Sequence, residues 1–260
     1  MRGYSRFIYR RLLPVRLRRQ VDLFYSLRPG MHNPELVDLP PGNRVLVLAP
    51  HPDDEVIACG GTLYKHHLAG NSITVLYMTD GRKGGDETLT EEECVRIRRE
   101  EARQAGKIIG IHHQIFMENR DMELKENRET VSQLREAVSQ VNPDIVYLPF
   151  FLDNHPDHQA TNNIFIAAFN GHKRELMCYA YEIWTPFIPN CIVDITLYSD
   201  VKMESLKRFQ SQVRRFNAVG ANLGLMKYRS VMHLGKDGYA ECFFRSDFRE
   251  YARLWKLVNR

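Results

Sequence analysis

The sequence predicts a Rossmann-like α/β fold of three layers (αβα) with a mainly parallel central sheet. Three observations lead there. From Asn43 onward, short apolar runs of strand type alternate with longer stretches of helical period. The 260 residues are 43% hydrophobic and 26% charged, enough to bury a large core. Clusters of acids and histidines follow two of the strand-like runs, where open α/β sheets place their ligands.

Residues 1–42 read as a basic N-terminal arm and linker, and residues 43–260 as one α/β domain. Arg2, Arg6, Arg10, Arg11, Arg16, Arg18 and Arg19 give the first twenty residues +7 with no acid; the whole chain is +4, so everything after them carries −3. Tyr4, Phe7, Ile8, Leu12, Leu13 and Leu17 are interspersed with these arginines. Three readings stay open: a helix packed across the domain, a solvated arm, or a basic amphipathic segment, broken at Pro14, that touches an anionic membrane. Arginines interrupt every apolar run, so the arm lacks the apolar centre of about 7–15 residues that a cleaved signal peptide needs. Residues 33–42, with three prolines and a glycine, read as the join to the body.

Strands are expected at 44–49, 73–79, 114–117, 144–150, 177–183 and 239–244, and helices at 56–68, 91–109, 127–141, 157–169, 200–213, 216–230 and 247–258. No apolar run approaches the roughly 20 residues of a membrane-spanning helix. Five scattered cysteines without a CxxC pair argue against a disulfide framework and favour a reducing cytoplasm, with the arm suiting the inner membrane surface. Beyond the arm there is no basic stripe with interleaved aromatics, so no nucleic-acid partner is expected.

The strand RVLVLA runs into Pro50-His51-Pro52-Asp53-Asp54-Glu55, and DIVYLPF is followed by Asp153-Asn154-His155-Pro156-Asp157-His158. Either cluster alone is equally well a turn with a capping aspartate. Together they would crowd carboxylates into one crevice, which is costly unless a cation or hydrogen bonds compensate. Two imidazoles and an aspartate with one open position make a catalytic zinc pattern. A two-metal phosphoesterase would need more acidic ligands. His66-His67 and His112-His113 lack an acidic partner cluster and read as surface or helix-end residues.

HPDDE after VLVLA, with HPDH downstream, resembles the PIG-L/LmbE family of zinc-dependent N-acetylglucosaminyl deacetylases. The likeness extends to the loop from Thr79-Asp80-Gly81-Arg82 to Gly84-Gly85, the Arg98–Glu101 helix and Tyr181-Glu182-Ile183-Trp184, covering about residues 43 to 215. The resemblance implies zinc on His51, Asp54 and His158, a general base at Asp53, and His155, in its cationic form, polarising or protonating the reacting amide. It further implies substrate contacts at Arg98 and Asp121, for which a solvated helix face and turn chemistry are the competing readings. Asp157 and Glu55 are read as supports for the ligands or as helix caps. Some relatives carry a tyrosine just before HPDH where this chain has Leu152-Asp153-Asn154. The implied activity is hydrolysis of the acetamide of an N-acetylhexosamine in a glycoconjugate, cell-envelope or polysaccharide precursor of unknown carrier. The alternative is a non-catalytic glycan or lipid-headgroup binding protein on the same fold.

Overall fold

The computed structural model describes residues 14–27, 34–85, 88–171, 175–213 and 217–259; the first thirteen residues of the arm lie outside them. The strands are β1 Glu35–Leu36, β2 Arg44–Ala49, β3 Ser72–Tyr77, β4 His113–Phe116, β5 Ile145–Pro149, β6 Met177–Tyr181, β7 Cys191–Asp194 and β8 Ala240–Asp247. The helices are α1 Val15–Leu27, α2 Asp54–Leu68, α3 Glu91–Ile109, α4 Arg128–Val141, α5 Pro156–Phe169, α6 Ser199–Leu206, α7 Gln210–Val213, α8 Ala218–Arg229 and α9 Phe248–Asn259. The sheet runs β1-β7-β8-β6-β5-β2-β3-β4. Its pairings are parallel except where β8 meets β6 and β7.

The period of two along β2 explains the layers. Val45, Val47 and Ala49 enter a core shared with Val56 and Leu63 of α2, Ala102 and Ile109 of α3 and Leu206 of α6. Leu46 and Leu48 point the other way, to Leu134 of α4, Ile164 and Phe165 of α5 and Leu254 of α9. Both sheet faces are therefore covered, as buried parallel strands require. Helix α3 begins where expected because Thr90 and Glu93 form a reciprocal capping box, and it ends at Gly110 in the left-handed conformation.

Strands β1 and β7 were not expected. They are two and four residues long, and β1, inside the segment read as a linker, pairs with β7. The expected helix over 200–213 is two helices, with backbone bonds from Phe209 to Leu206 and from Gln212 to Phe209 turning the chain between them. Helix α1 lies against α9: Leu23 and Leu27 join that helix's apolar cluster, and Arg253 donates to Ser26 Oγ at 2.9 Å.

Helix α2 is broken inside. Cys59 leaves helical geometry at φ −137°, ψ 17°, and Glu241 of β8 reaches into the break. Its carboxylate accepts from Gly61 N–H at 2.9 Å, Thr62 N–H at 2.7 Å and Thr62 Oγ1 at 2.6 Å. Lys202 of α6 donates to Glu241 at 2.7 Å and to the Ile57 carbonyl at 2.7 Å, so a wholly buried ion pair caps a helix start in mid-helix. Gly61 is needed there because a Cβ would sit 2.8 Å from Ile195.

Candidate metal and amide-hydrolysis site

The chain lays β3 and β4 on one side of β2 and then returns to place β5 on the other. The loops leaving β2 and β5 therefore open side by side at a switch point of the sheet. Each carries one of the two histidine clusters.

Asp53 ends the first loop at φ 133°, ψ −28°, a conformation that costs a residue with a side chain about 1–3 kcal/mol. Its surroundings impose it. The Asp53 N–H donates to Glu55 Oε2 at 3.0 Å, and Glu55 Oε1 accepts from the Tyr77 hydroxyl at 2.8 Å. From α3, Arg98 donates to the Pro52 carbonyl at 2.6 Å and the Gly81 carbonyl at 3.1 Å, and lies 3.2 Å from Asp53 Oδ2. Arg98 is buried and turned to this loop rather than to a solvated helix face. The glycines of the 81–85 loop make room for it: a Cβ on Gly84 would lie 2.0 Å from Arg98 Nη1.

The first imidazole is held on both edges. The His51 N–H donates to Asp54 Oδ2 at 2.8 Å, and Nδ1 lies 3.2 Å from the same oxygen. Nε2 faces Asp157 Oδ2 at 3.0 Å and Asp121 Oδ1 at 3.3 Å. Asp157 also accepts from the N–H groups of Met122 and Leu124, and Asp121 from that of Lys83, so these carboxylates tie three loops to one histidine. His158, fully buried on α5, brings Nε2 to 3.4 Å from Asp54 Oδ2 and Nδ1 to 3.5 Å from Asp153 Oδ2.

Asp153 is the group that sequence reasoning did not single out. It accepts from the N–H groups of His155 and Trp184 and faces the back of His158; an acid two residues before the first histidine of HPDH was the available signal. His155 caps α5, its Nδ1 accepting from the Asp157 N–H at 3.2 Å. Trp184 stacks on its ring at 5.9 Å between centroids. A ring that accepts at Nδ1 carries its proton on Nε2 and is neutral. Burial, then the neighbouring His51 and His158, also hold it below the usual histidine value. This arrangement favours a neutral ring with its proton on Nε2, where the resemblance implies a cationic one.

Electrostatics separates the two adjacent aspartates. Burial pushes Asp53 up to about 7, against the lowering effect of Arg98. For Asp54 burial also raises the value, but His158 and His51 together outweigh it and hold the carboxyl well below its usual range. Burial alone would discharge His51; the carboxylates of Asp121, Asp157 and Asp54 overcome it and raise its value well above normal. Burial pushes Glu55 up to about 8 despite the hydrogen bond it accepts from Tyr77.

A metal fits these residues. Both ring nitrogens of His158 are buried and make no hydrogen bond of normal geometry, their nearest acceptors being Asp54 and Asp153 at 3.4 and 3.5 Å, an arrangement that suits a nitrogen ligating an ion. Nitrogens of His51 and His158 flank one oxygen of Asp54 at 3.2 and 3.4 Å. Among the described residues, the sets with ligand atoms within 4.8 Å of one another are His51 with His155 and His158, and His51 with Asp121 and Asp157; both contain His51, and Asp54 is in neither.

The histidine pairs outside the site divide. His67, His112 and His113 are exposed. His66 is not: it is fully buried, with Nε2 2.9 Å from the Tyr147 hydroxyl and Nδ1 2.9 Å from Asn71 Nδ2, because Tyr147 of β5 needs a polar partner inside the core. Burial pushes its value down to about 4. The unfolded chain takes up a proton on this residue near pH 6.5 and the folded one does not, so its contribution to stability is complete above that pH and is lost as pH falls towards 4. Urea unfolding at pH 7 and pH 5 should show the wild type losing about 2 kcal/mol more than a His66→Gln variant. Equal losses in the two proteins would remove His66 as the cause.

The sequence profile of PIG-L, described as GlcNAc-PI de-N-acetylase, matches residues 46–169, from β2 to the end of α5. A probable N-acetyl-alpha-D-glucosaminyl L-malate deacetylase 2 from Bacillus anthracis is 30% identical over 190 residues, spanning 65% of this chain and 81% of its own. The chain belongs to the PIG-L family. Within that family, the diacetylchitobiose deacetylase of Thermococcus kodakarensis is 28% identical over 186 residues, covering 65% of this chain and 70% of the relative. The solved N,N'-diacetylchitobiose deacetylase of Pyrococcus horikoshii superposes with a TM-score of 0.70 at 26% identity, covering 86% of this chain and 90% of that one. The PIG-L match holds both histidine clusters but stops before Trp184, Lys202 and Glu241.

Proposed function

We propose that this PIG-L protein is a zinc-dependent de-N-acetylase that converts the acetamide of an N-acetylhexosamine, within a larger glycoconjugate or envelope precursor, to a free amine and acetate. One observation carries the reading: His51, Asp54 and His158 meet around a single carboxylate oxygen, while the adjacent Asp53 is kept out of that cluster by an unusual backbone conformation. The named relatives, which act on diacetylchitobiose and, probably, on GlcNAc-malate, supply the substrate class.

His51, Asp54 and His158 would hold the ion, a two-nitrogen, one-oxygen set suited to zinc. When bound there, zinc supplies a Lewis acid next to a water and a carbonyl. Asp53, raised towards neutrality by burial, takes the proton from the attacking water, and Arg98 fixes its carboxylate for that task. His155 donates from Nε2 to the amide as its carbonyl carbon becomes tetrahedral, and its cap on α5 and the Trp184 face fix the direction. We assign Arg98 and Asp121 to positioning Asp53 and His51, because Arg98 lies 3.2 Å from Asp53 Oδ2 and Asp121 Oδ1 lies 3.3 Å from His51 Nε2. A protein that only bound glycans would gain nothing from a strained, buried Asp53.

Acetate release should be measured on N-acetylglucosamine attached to lipid, nucleotide, thiol and oligosaccharide carriers, after chelation and again after zinc is restored. At least one carrier should yield acetate only in the zinc-loaded protein. Protein that retains zinc yet releases none from any carrier would defeat the assignment.

A further inference from the structure

We propose that Trp184 is a specificity-determining residue: its indole is the platform on which the pyranose ring bearing the acetamide lies, so that the protein selects a ring sugar over an open-chain amide. The inference rests on the amide-hydrolysis reading above for the class of ligand. Its own ground is the loop after β6. The backbone N–H of Trp184 donates to Asp153 Oδ2 at 3.1 Å, the carboxylate that also faces His158, and the Asn154 N–H donates to Thr185 Oγ1 at 3.3 Å. At the other end, Arg229 of α8 grips both carboxylate oxygens of the buried Glu182 and donates to the Phe187 carbonyl at 2.8 Å. Glu182 in turn accepts from the Phe187 N–H at 3.2 Å. Both ends of the loop are therefore clamped, one of them to the site itself.

The aromatic neighbours of Trp184 are packed away. Phe150 and Phe151 are buried, and Phe187 stacks on Phe150 at 4.7 Å. Trp184 alone of these four is exposed, at 54%. A lone exposed aromatic on a loose surface loop needs no explanation. This one is held rigidly beside His155, the residue assigned to donate to the amide. The two rings are 21° from parallel with centroids 5.9 Å apart. Rings in direct face contact would have centroids at about 3.5–4.0 Å, so the indole is offset and extends past the imidazole. What it offers is a flat apolar surface bordered by imidazoles and carboxylates. A pyranose ring matches that surface, with C–H bonds on its face, hydroxyls around its edge and the acetamide projecting from that edge. An open-chain amide has the same polar groups but no face to lay on the indole.

The test is a binding titration followed by tryptophan emission. Trp184 and Trp255 are the two tryptophans of the chain, so Trp255→Phe leaves Trp184 as the sole reporter. Asp53→Asn in the same zinc-loaded protein keeps the ligand intact. The probes are methyl N-acetylglucosaminide and N-acetylglucosaminitol, the open-chain alditol that keeps the acetamide and hydroxyls and loses the ring face. The glycoside should change the Trp184 emission and bind about tenfold more tightly than the alditol. In calorimetry on the Asp53→Asn protein, adding Trp184→Ala should weaken glycoside binding about tenfold and abolish the preference over the alditol, while Trp184→Phe should keep most of both. A role confined to steadying His155 would leave that preference intact. Thermal melting should be close to the parent's in both variants, since the side chain is more than half exposed. An unchanged preference in Trp184→Ala, glycoside binding that leaves the Trp184 emission unaltered, or no glycoside binding at all would overturn the proposal. Ring-selective binding through Trp184 in a protein that releases no acetate from any carrier would uphold the platform and defeat the hydrolytic reading.

Discussion

Asp53→Asn should release acetate roughly 10²–10⁴-fold more slowly than the wild type while binding the same amount of zinc. The amide keeps the size and polarity of the carboxylate but cannot take a proton, so loss of rate at constant metal content isolates the base from the ligands. Asp53→Gly carries the argument further. Glycine adopts φ 133° without penalty, and the change removes a carboxyl that burial already drives towards its neutral form. The glycine variant should therefore be as inactive as the asparagine variant yet melt higher than it, since both leave Arg98 without its carboxylate partner and only glycine escapes the backbone penalty. Elemental analysis, thermal melting and an acetate assay on the three proteins decide it; undiminished turnover in Asp53→Asn refutes the role assigned to this residue.

Glu241→Gln should destabilise the protein by about 3–5 kcal/mol, because it strands the Lys202 ammonium in a fully buried position. Removing both charges avoids that penalty, so Glu241→Gln with Lys202→Met should be substantially more stable than Glu241→Gln alone. Urea unfolding of the two single variants and the double variant gives the coupling directly. If the double variant is as unstable as the sum of the singles, the pair is not what closes the break in α2.

Much of this architecture is legible in the sequence, and the exceptions have physical reasons. The β2 and β5 runs are apolar throughout because parallel strands are buried on both faces, so they stand out without structural help. The two histidine clusters could be placed at strand ends for the same reason. Period alone says nothing about direction, and β8 looks like any other strand until its antiparallel register with β6 and β7 is seen. Strand β7 is four residues in a stretch broken by Pro186 and Pro189, and β1 is two, below what a pattern can register. At the site, residue types identified the cluster, but supporting contacts did not follow from them. Arg98 reads as one of four arginines on a helix, and only the fold turns it inward to Pro52, Gly81 and Asp53. His66 reads as a helix-end residue because its partner, Tyr147, is 81 positions away.

The mid-helix cap has a bearing on when the protein starts to work. The two histidine clusters are complete once residue 158 has been made, yet the helix that begins at Asp54 is closed by Lys202 and Glu241. A nascent chain still tethered to the ribosome with β8 inside the exit tunnel has every reactive side chain and lacks the brace beneath them. Competence should then arrive only when that strand slots between β6 and β7.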